Sequence, residues 1–398
     1  MNATEIRASM SLASIFALRM LGLFLILPVF AVHAKSLPGG DNATLVGLAL
    51  GMYGLTQAFG QIPFGMASDR FGRKRIIVIG LLLFALGSLI AACASDIVWV
   101  IVGRGVQGAG AVSAAVTALI ADSTRDEHRT KAMAMVGVSI ALTYATSLIL
   151  SPLLYKAIGM SGMFLLVAAL AVTAIAVVLF VVPPAPARVP EEASFAQVLR
   201  DPELMRMNVG VFVLHAAQMS MFVVLPGVLV SAAGLPLAQH WQIYLPVVLS
   251  SFVLMLPPIF FGEKRGKTKL VFVSAITLLL LVQFGLWLAV SQATLSITWA
   301  VLLLLAFFVA FNILEASQPS LVSRLAPAGA RGAALGVYNT MQAIGLFVGG
   351  AGGGLMAQHF GGPAVFMVGC LMTIAWLIIA SSMKSLPRRS KSQQAVPV

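Results

Sequence analysis

The stretch IIVIGLLLFALGSLIAACAS, residues 76–95, runs for twenty residues without a charge, and comparable apolar segments recur along the whole chain. A segment of that length suits a helix crossing a hydrocarbon core of roughly 30 Å. No water is available there to pair with exposed backbone groups, so only helices or closed barrels can span it. The weak alternation of a membrane barrel is absent, which leaves helices. Charged residues make up 10% of the 398-residue chain, against about 25% in a soluble domain.

Twelve helices are expected, at 11–32, 44–66, 75–95, 98–122, 131–156, 161–182, 207–231, 240–261, 269–290, 295–319, 331–358 and 362–383. The expected architecture is an all-α membrane protein of two six-helix bundles, 1–182 and 207–384, with a tail at 385–398. The longest polar stretch, 183–206, joins them. Its Pro-rich start cannot continue a helix, while SFAQVLRDPELMR suits a short amphipathic helix on the membrane surface.

Lysines and arginines divide sharply by side. With the N-terminus inside, twenty-one fall on inner segments and only Lys35 and Lys156 on outer loops, with Arg19 and Arg104 inside helices. This places both termini in the cytoplasm. It also accounts for the net charge of +12 without nucleic acid. The first helix has a basic residue and a small-residue V-H-A like a signal peptide, but Arg19 interrupts its apolar run, so it is read as retained. Cys93 and Cys370 lie in apolar runs and are read as small core residues, with no disulfide and no metal spacing.

The halves echo each other. Gly65 and Gly262 are 197 residues apart, Gly137 and Gly336 are 199 apart, and half the chain is 199 residues. Transporters built from such repeats bind substrate near the midplane, between the halves.

GMASDRFGRKR, residues 65–75, joins helices two and three. Sidedness explains Arg70, Arg73, Lys74 and Arg75, but not the other residues. Gly65 permits close helix contact and Gly72 a turn with positive φ. Asp69 sits near a helix C-terminus, where an anion is unfavourable. It therefore needs a partner, either Arg73 or the start of a helix from the other half, and Asp122 is a second partner for Arg73. Such a cluster could latch the halves when the cytoplasmic side is shut.

The order Gly65-x-x-x-Asp69-Arg70-x-Gly72-Arg73-Lys74 resembles motif A of the major facilitator superfamily, and the twelve-helix plan agrees over nearly the whole chain. The second copy, from Gly262 to Lys267, is degenerate. IVGRGVQGAGA, residues 101–111, resembles the superfamily's motif B of proton-coupled antiporters, with Arg104 as its arginine. The resemblance implies a part in proton coupling. The residues alone also allow a structural arginine bonded to carbonyls of helix one. The formal dinucleotide fingerprint Gly103-x-Gly105-x-x-Gly108 follows no strand and lies within a spanning helix, so its small residues are read as packing contacts. Helix five should resemble motif C, but Ser151 stands before Pro152 where a glycine is expected. Long runs such as SIFALRMLGLFLILPV and FFVAFNILEASQPSLVSRLAPAGARGAALGVYNT are similar to one group of Gram-negative inner-membrane transporters in the superfamily. Some members of that group carry a ferredoxin-like domain after helix twelve, whereas this chain ends about fifteen residues beyond that helix.

Two charged residues stand out at mid-depth. Arg19 takes the place of the acid that many drug antiporters of the superfamily have in helix one. It could bind an anionic substrate group or steady the cavity. Glu315 is the one acid deep in the membrane. A lone buried carboxylate is costly to ionise, which makes it a candidate proton carrier, and Asn312 lies one helical turn away on its face. Tyr53, Gln57, Gln107, Tyr144, His215, Gln218, Tyr338, Asn339 and Gln342 mark a possible cavity. With the methionines and phenylalanines they suit a broad apolar ligand.

No enzyme motif, Walker A sequence or cofactor signature is present, so no cofactor is expected. The expected activity is proton-coupled efflux of amphipathic drugs or metabolites by a monomeric inner-membrane antiporter, using alternating access. Its partners would be a small-molecule substrate, protons and the bilayer. Uptake or facilitated diffusion of a small polar or anionic solute is the alternative within transport, and a membrane sensor or scaffold the alternative outside it.

Overall fold

A computed structural model describes residues 1–183, 195–292, 295–327 and 330–383. Residues 184–194 of the expected linker, and the tail, lie outside the described residues. Among the described residues the structure is helical without strands. The spanning helices are α1 (Ala3–Phe24, continued by Leu27–His33), α2 (Ala43–Phe71), α3 (Arg73–Ala92) and α4 (Ile97–Ala109, continued by Ser113–Ser123). α5 and α6 share the run Asp126–Ala176, followed by a π turn, Val177–Val181. The second half holds α7 (Pro202–Ser231), α8 (Trp241–Arg265), α9 (Thr268–Ser291) and α10 (Ile297–Leu325). It closes with α11 (Arg331–Phe347, a π turn at Val348–Gly352, then Gly353–Phe360) and α12 (Gly362–Ser381).

Each deviation from the expected helices has a local cause. The apolar span Met135–Val181 covers 47 residues, which as one helix would extend about 70 Å, over twice the hydrocarbon thickness. Gly159 breaks it, with φ 66° and ψ −178°, a region essentially closed to other residues. α5 therefore ends before Gly159 and α6 begins after it, at the junction expected from the sequence. In α1 the break at residues 25–26 precedes Pro28, which has no N–H to continue the ladder. The Val29 N–H bonds to Ile26 O instead, and Ser151 donates to the Leu25 carbonyl (2.5 Å). The serine that departs from motif C thus ties α5 to the break in α1. The surface helix expected before α7 is the single stretch Phe195–Arg200. α7 then starts at Pro202 because Asp201 caps it, accepting from the backbone of Glu203 (2.8 Å) and Leu204 (3.1 Å).

The two halves are six-helix bundles with the same neighbour pattern: α1 against α5, α2 against α4 and α3 against α6 correspond to α7 against α11, α8 against α10 and α9 against α12. The repeat extends to single bonds. Lys74, at the start of α3, donates to Val182 O beyond α6. Lys269, at the start of α9, donates to Met383 O beyond α12 (2.5 Å). Each lysine satisfies a carbonyl just beyond a helix, where a cation is favoured. Large apolar side chains such as Leu82, Val172, Leu281, Leu371 and Ile378 remain exposed on outer faces, as lipid contact requires. Cys93 corrects the sequence reading: both thiols are free, but Cys93 is exposed at the C-terminus of α3.

The small residues of α4 act in packing, as expected. A Cβ at Gly108 would stand 2.1 Å from Tyr53 O of α2, and one at Gly103 would stand 2.7 Å from Gly87 O of α3. Both neighbours are backbone, so neither can swing away. Gly108→Val is therefore expected to destabilise the protein by about 3 kcal/mol or more. Gly137→Ala, with nothing within 4 Å of the new Cβ, is expected to leave stability level or slightly higher. Thermal unfolding in detergent checks both, and an unchanged Tm for Gly108→Val would contradict the packing account.

Candidate functional site

Three groups of residues occupy different depths of the bundle. The first lies at the end bearing the Lys/Arg-rich loops, called the basic end. α2 stops at Phe71, Gly72 turns the chain with φ 97°, and α3 starts at once with Arg73. The turn aims Arg73 back at α2 and across to α4. Its Nε donates to Asp122 Oδ2 (2.9 Å), its Nη1 to Ser68 Oγ (2.7 Å), and it forms an ion pair with Asp69. Asp69 thus finds Arg73, and Asp122 joins as expected, so this charge cluster is contained within the first half. Arg70 lies over the Phe71 ring, 5.4 Å from its centroid. Gly65 departs from expectation: a Cβ there would sit 3.6 Å from Ala114 Cβ, an ordinary contact, so close approach does not demand glycine. The sequence reading also missed Glu5, which joins the start of α1 to the α4–α5 connection by accepting from the backbone N and Nε of Arg125 (both 3.0 Å).

The second group seals the opposite end, and it too was missed. α2 and α11 touch backbone to backbone along a glycine seam. A Cβ at Gly47 would stand 2.1 Å from Gly350 O, one at Gly51 2.7 Å from Phe347 O, and one at Gly54 2.4 Å from Ala343 O. Beyond it, Gln358 Oε1 accepts from the Ala43 N–H (2.6 Å), capping α2 from α11. The small-xxx-small spacings Gly47-x-x-x-Gly51 and Gly350-x-x-x-Gly354 were the available signal. Further along α11, a Cβ at Gly332 or Gly336 would meet nothing within 4 Å. The tight seam between α2 and α11 is therefore confined to the end remote from the basic loops.

The third group lies between these two. Glu315 of α10 is not alone: its Oε2 is 3.6 Å from His215 Nε2 of α7, and its side chain is 29% exposed. Gln342 of α11 reaches the same His215 nitrogen at 2.7 Å, and His215 Nδ1 lies 3.0 Å from Val211 O. A carbonyl only accepts, so Nδ1 carries a proton and Nε2 accepts from the Gln342 amide. Tyr144 joins α5 to this group, its ring 5.6 Å from Phe311, which is itself 5.7 Å from His215. Tyr144, Gln218 and Tyr338 are buried, and the two hydroxyls and both polar atoms of the Gln218 amide have no hydrogen-bond partner. Asn339 is half-buried on α11.

Two residues proposed for this cavity are engaged elsewhere. Asn312 donates to Ser251 Oγ of α8 (3.0 Å) rather than facing Glu315. Gln107 is fully buried, donating to Ser88 Oγ (2.7 Å) and accepting from Arg104 Nη1 (2.9 Å). Arg104 also corrects the sequence reading: the carbonyl it reaches is Ala49 O of α2 (3.4 Å), not one of α1. Arg19 donates to Ser113 Oγ of α4 (2.5 Å). Both guanidiniums lie over the Tyr53 ring, at 5.6 Å for Arg19 and 5.0 Å for Arg104. Gln57 continues the Tyr53 face of α2 one turn on, buried.

Two bundles of long apolar helices make this a multi-pass membrane protein, and its family and relatives are those of a transport protein, not an enzyme. The Major Facilitator Superfamily model matches residues 12–350, and the chain belongs to that superfamily. It is 43% identical to the inner membrane transport protein YajR of Escherichia coli K12, over 100% of this chain and 87% of that one. It is 28% identical to the multidrug resistance protein MdtH of Aeromonas salmonicida, over 85% of each. Among solved structures, the nucleoside transporter NupG superposes with a TM-score of 0.72 over 95% of this chain and 99% of that one, at 14% identity, a likeness of fold.

Proposed function

We propose that the chain is a monomeric, proton-coupled secondary transporter of a bacterial inner membrane, with both termini cytoplasmic. It exports amphipathic drugs or metabolites by alternating access. The observation that carries this reading is the approach of Glu315 to His215 at mid-depth. A proton arriving on His215 Nε2 turns that nitrogen into a donor toward Glu315, and Gln342 must then present its amide oxygen or withdraw. Protonation and the bond between α7 and α11 are thereby linked. The similarity to an inner membrane transport protein and to a multidrug resistance protein supports the location and the direction.

In this reading the glycine seam is the outer gate in its closed state. The Asp69–Arg73–Asp122 cluster engages the second half when the basic, cytoplasmic end closes. Arg73→Ala, which removes the partly exposed ion pairs to both Asp69 and Asp122, is expected to slow transport about fivefold, with KM unchanged. Initial-rate measurements check this, and a raised KM at unchanged maximal rate would place Arg73 in substrate binding instead.

The test of the function is substrate-triggered proton movement by purified protein in liposomes, across amphipathic cations, anions and sugars. Proton flux on substrate addition supports coupling. Substrate flux without proton movement makes the protein a uniporter. A second reading, passage of a small anionic solute, is favoured by the absence of a carboxylate beside Arg19 or Arg104 among the described residues.

A further inference from the structure

We infer that Arg19, Arg104 and Tyr53 form a binding site for an anionic group within the first bundle. The two arginines are 2% and 1% exposed, and Tyr53 is fully buried. Two cations at this depth are costly unless paired, yet no acid among the described residues meets either one. Their hydrogen bonds are also incomplete. Arg19 Nε and Nη2, Arg104 Nη2 and the Tyr53 hydroxyl all lack a partner. Both guanidiniums lie over the one Tyr53 ring, 5.6 Å and 5.0 Å from its centroid, so these unused donors belong to one neighbourhood. The aromatic ring shared by the two cations supplies quadrupole attraction but no negative charge.

Unused guanidinium N–H groups beside a hydroxyl donor match an oxyanion, which takes two or more parallel N–H bonds. The ligand class is therefore a carboxylate, sulfonate or phosphate head, or a small inorganic anion taking the same donors. Along α2, Gln57 and Gln61 extend the Tyr53 face toward the basic end at successive turns. Each is buried and holds an unpartnered atom, Oε1 and Nε2 respectively, which continues the polar face of α2 in that direction. The site rests on buried charge and stands independently of proton coupling at Glu315. Only its assignment to cargo depends on the transport reading.

The experiment is thermal unfolding of the purified full chain in detergent, titrated with sodium chloride, sodium phosphate or sodium octanoate. Sodium gluconate at equal ionic strength is the bulky control. A saturable rise in Tm with chloride or phosphate identifies a resident inorganic anion. A rise with octanoate alone identifies the head of an amphipathic cargo. Either supports the site, provided that Arg19→Gln and Arg104→Gln each weaken the apparent affinity at least about tenfold. Tyr53→Phe, which removes one oxygen and leaves the packing, should weaken it about fivefold. It keeps the test decisive if an arginine variant does not fold. No stabilisation beyond gluconate in the wild type, or equal stabilisation in Tyr53→Phe and in every arginine variant that folds, overturns the proposal. Because unfolding needs no flux, that failure is distinct from a failure of transport.

Discussion

Glu315→Gln is expected to reduce proton-driven accumulation to the level of empty liposomes while leaving counterflow exchange intact. The amide keeps the shape of the carboxyl group and can still bond to neighbours, but it cannot release a proton. Counterflow asks only that the loaded carrier reorient, so a residue that carries the proton is dispensable for it. Loss of both activities would mark Glu315 as a structural acid. His215 is 3.6 Å away, so its part must be separated. His215→Asn is expected to lower the rate of proton-driven transport without ending it, because the Glu315 carboxyl group remains to carry the proton. If His215→Asn reproduces Glu315→Gln in full, the pair acts as one proton site.

Gly47→Val is expected to hold the protein open at the end remote from the basic loops and to cut transport by at least about tenfold. The first added atom would stand 2.1 Å from Gly350 O and 2.7 Å from Gly354 Cα. Both are backbone, so the seam must separate rather than repack. A cost of about 3 kcal/mol on the sealed state alone moves a two-state equilibrium by roughly 100-fold. The measure is labelling of Ala343→Cys by a membrane-impermeant maleimide, in a background lacking Cys93 and Cys370. Ala343 is 1% exposed within the seam, at its Gly54 contact, so its labelling should rise sharply in Gly47→Val. Unchanged labelling with full transport would show that the seam is not a gate. Gly350→Val approaches the same contact from the other side and should give the same result.

Much of the basic-end cluster was legible because its parts are close in sequence. Asp69 and Arg73 are four residues apart, and the glycine between them dictates the turn. Asp122 was legible as well, since two short connections return α4 to the same membrane surface. The mid-depth residues were legible only as a set of polar groups on apolar helices. Rotating a helix by one residue turns a side chain through about 100°, so a boundary error of two residues reverses the face. Asn312 illustrates the consequence: it shares a turn with Glu315, yet it bonds to Ser251 of α8 while Glu315 meets His215 of α7. Gln107 illustrates it again, engaged by Ser88 and Arg104 inside the first bundle.

By itself the sequence determined that this chain crosses a membrane in twelve helices, where the chain turns between them, which end carries the positive charge, and that an acid lies deep in the tenth helix. Hydropathy, chain length, glycine and proline act locally, so a linear reading captures them. Only the tertiary structure decided that two arginines share one tyrosine, that a histidine faces the acid, and that glycines of α2 and α11 close one end. Those contacts join residues from 34 to more than 300 positions apart, and they depend on the rotation and approach of whole helices, set by packing of every face at once.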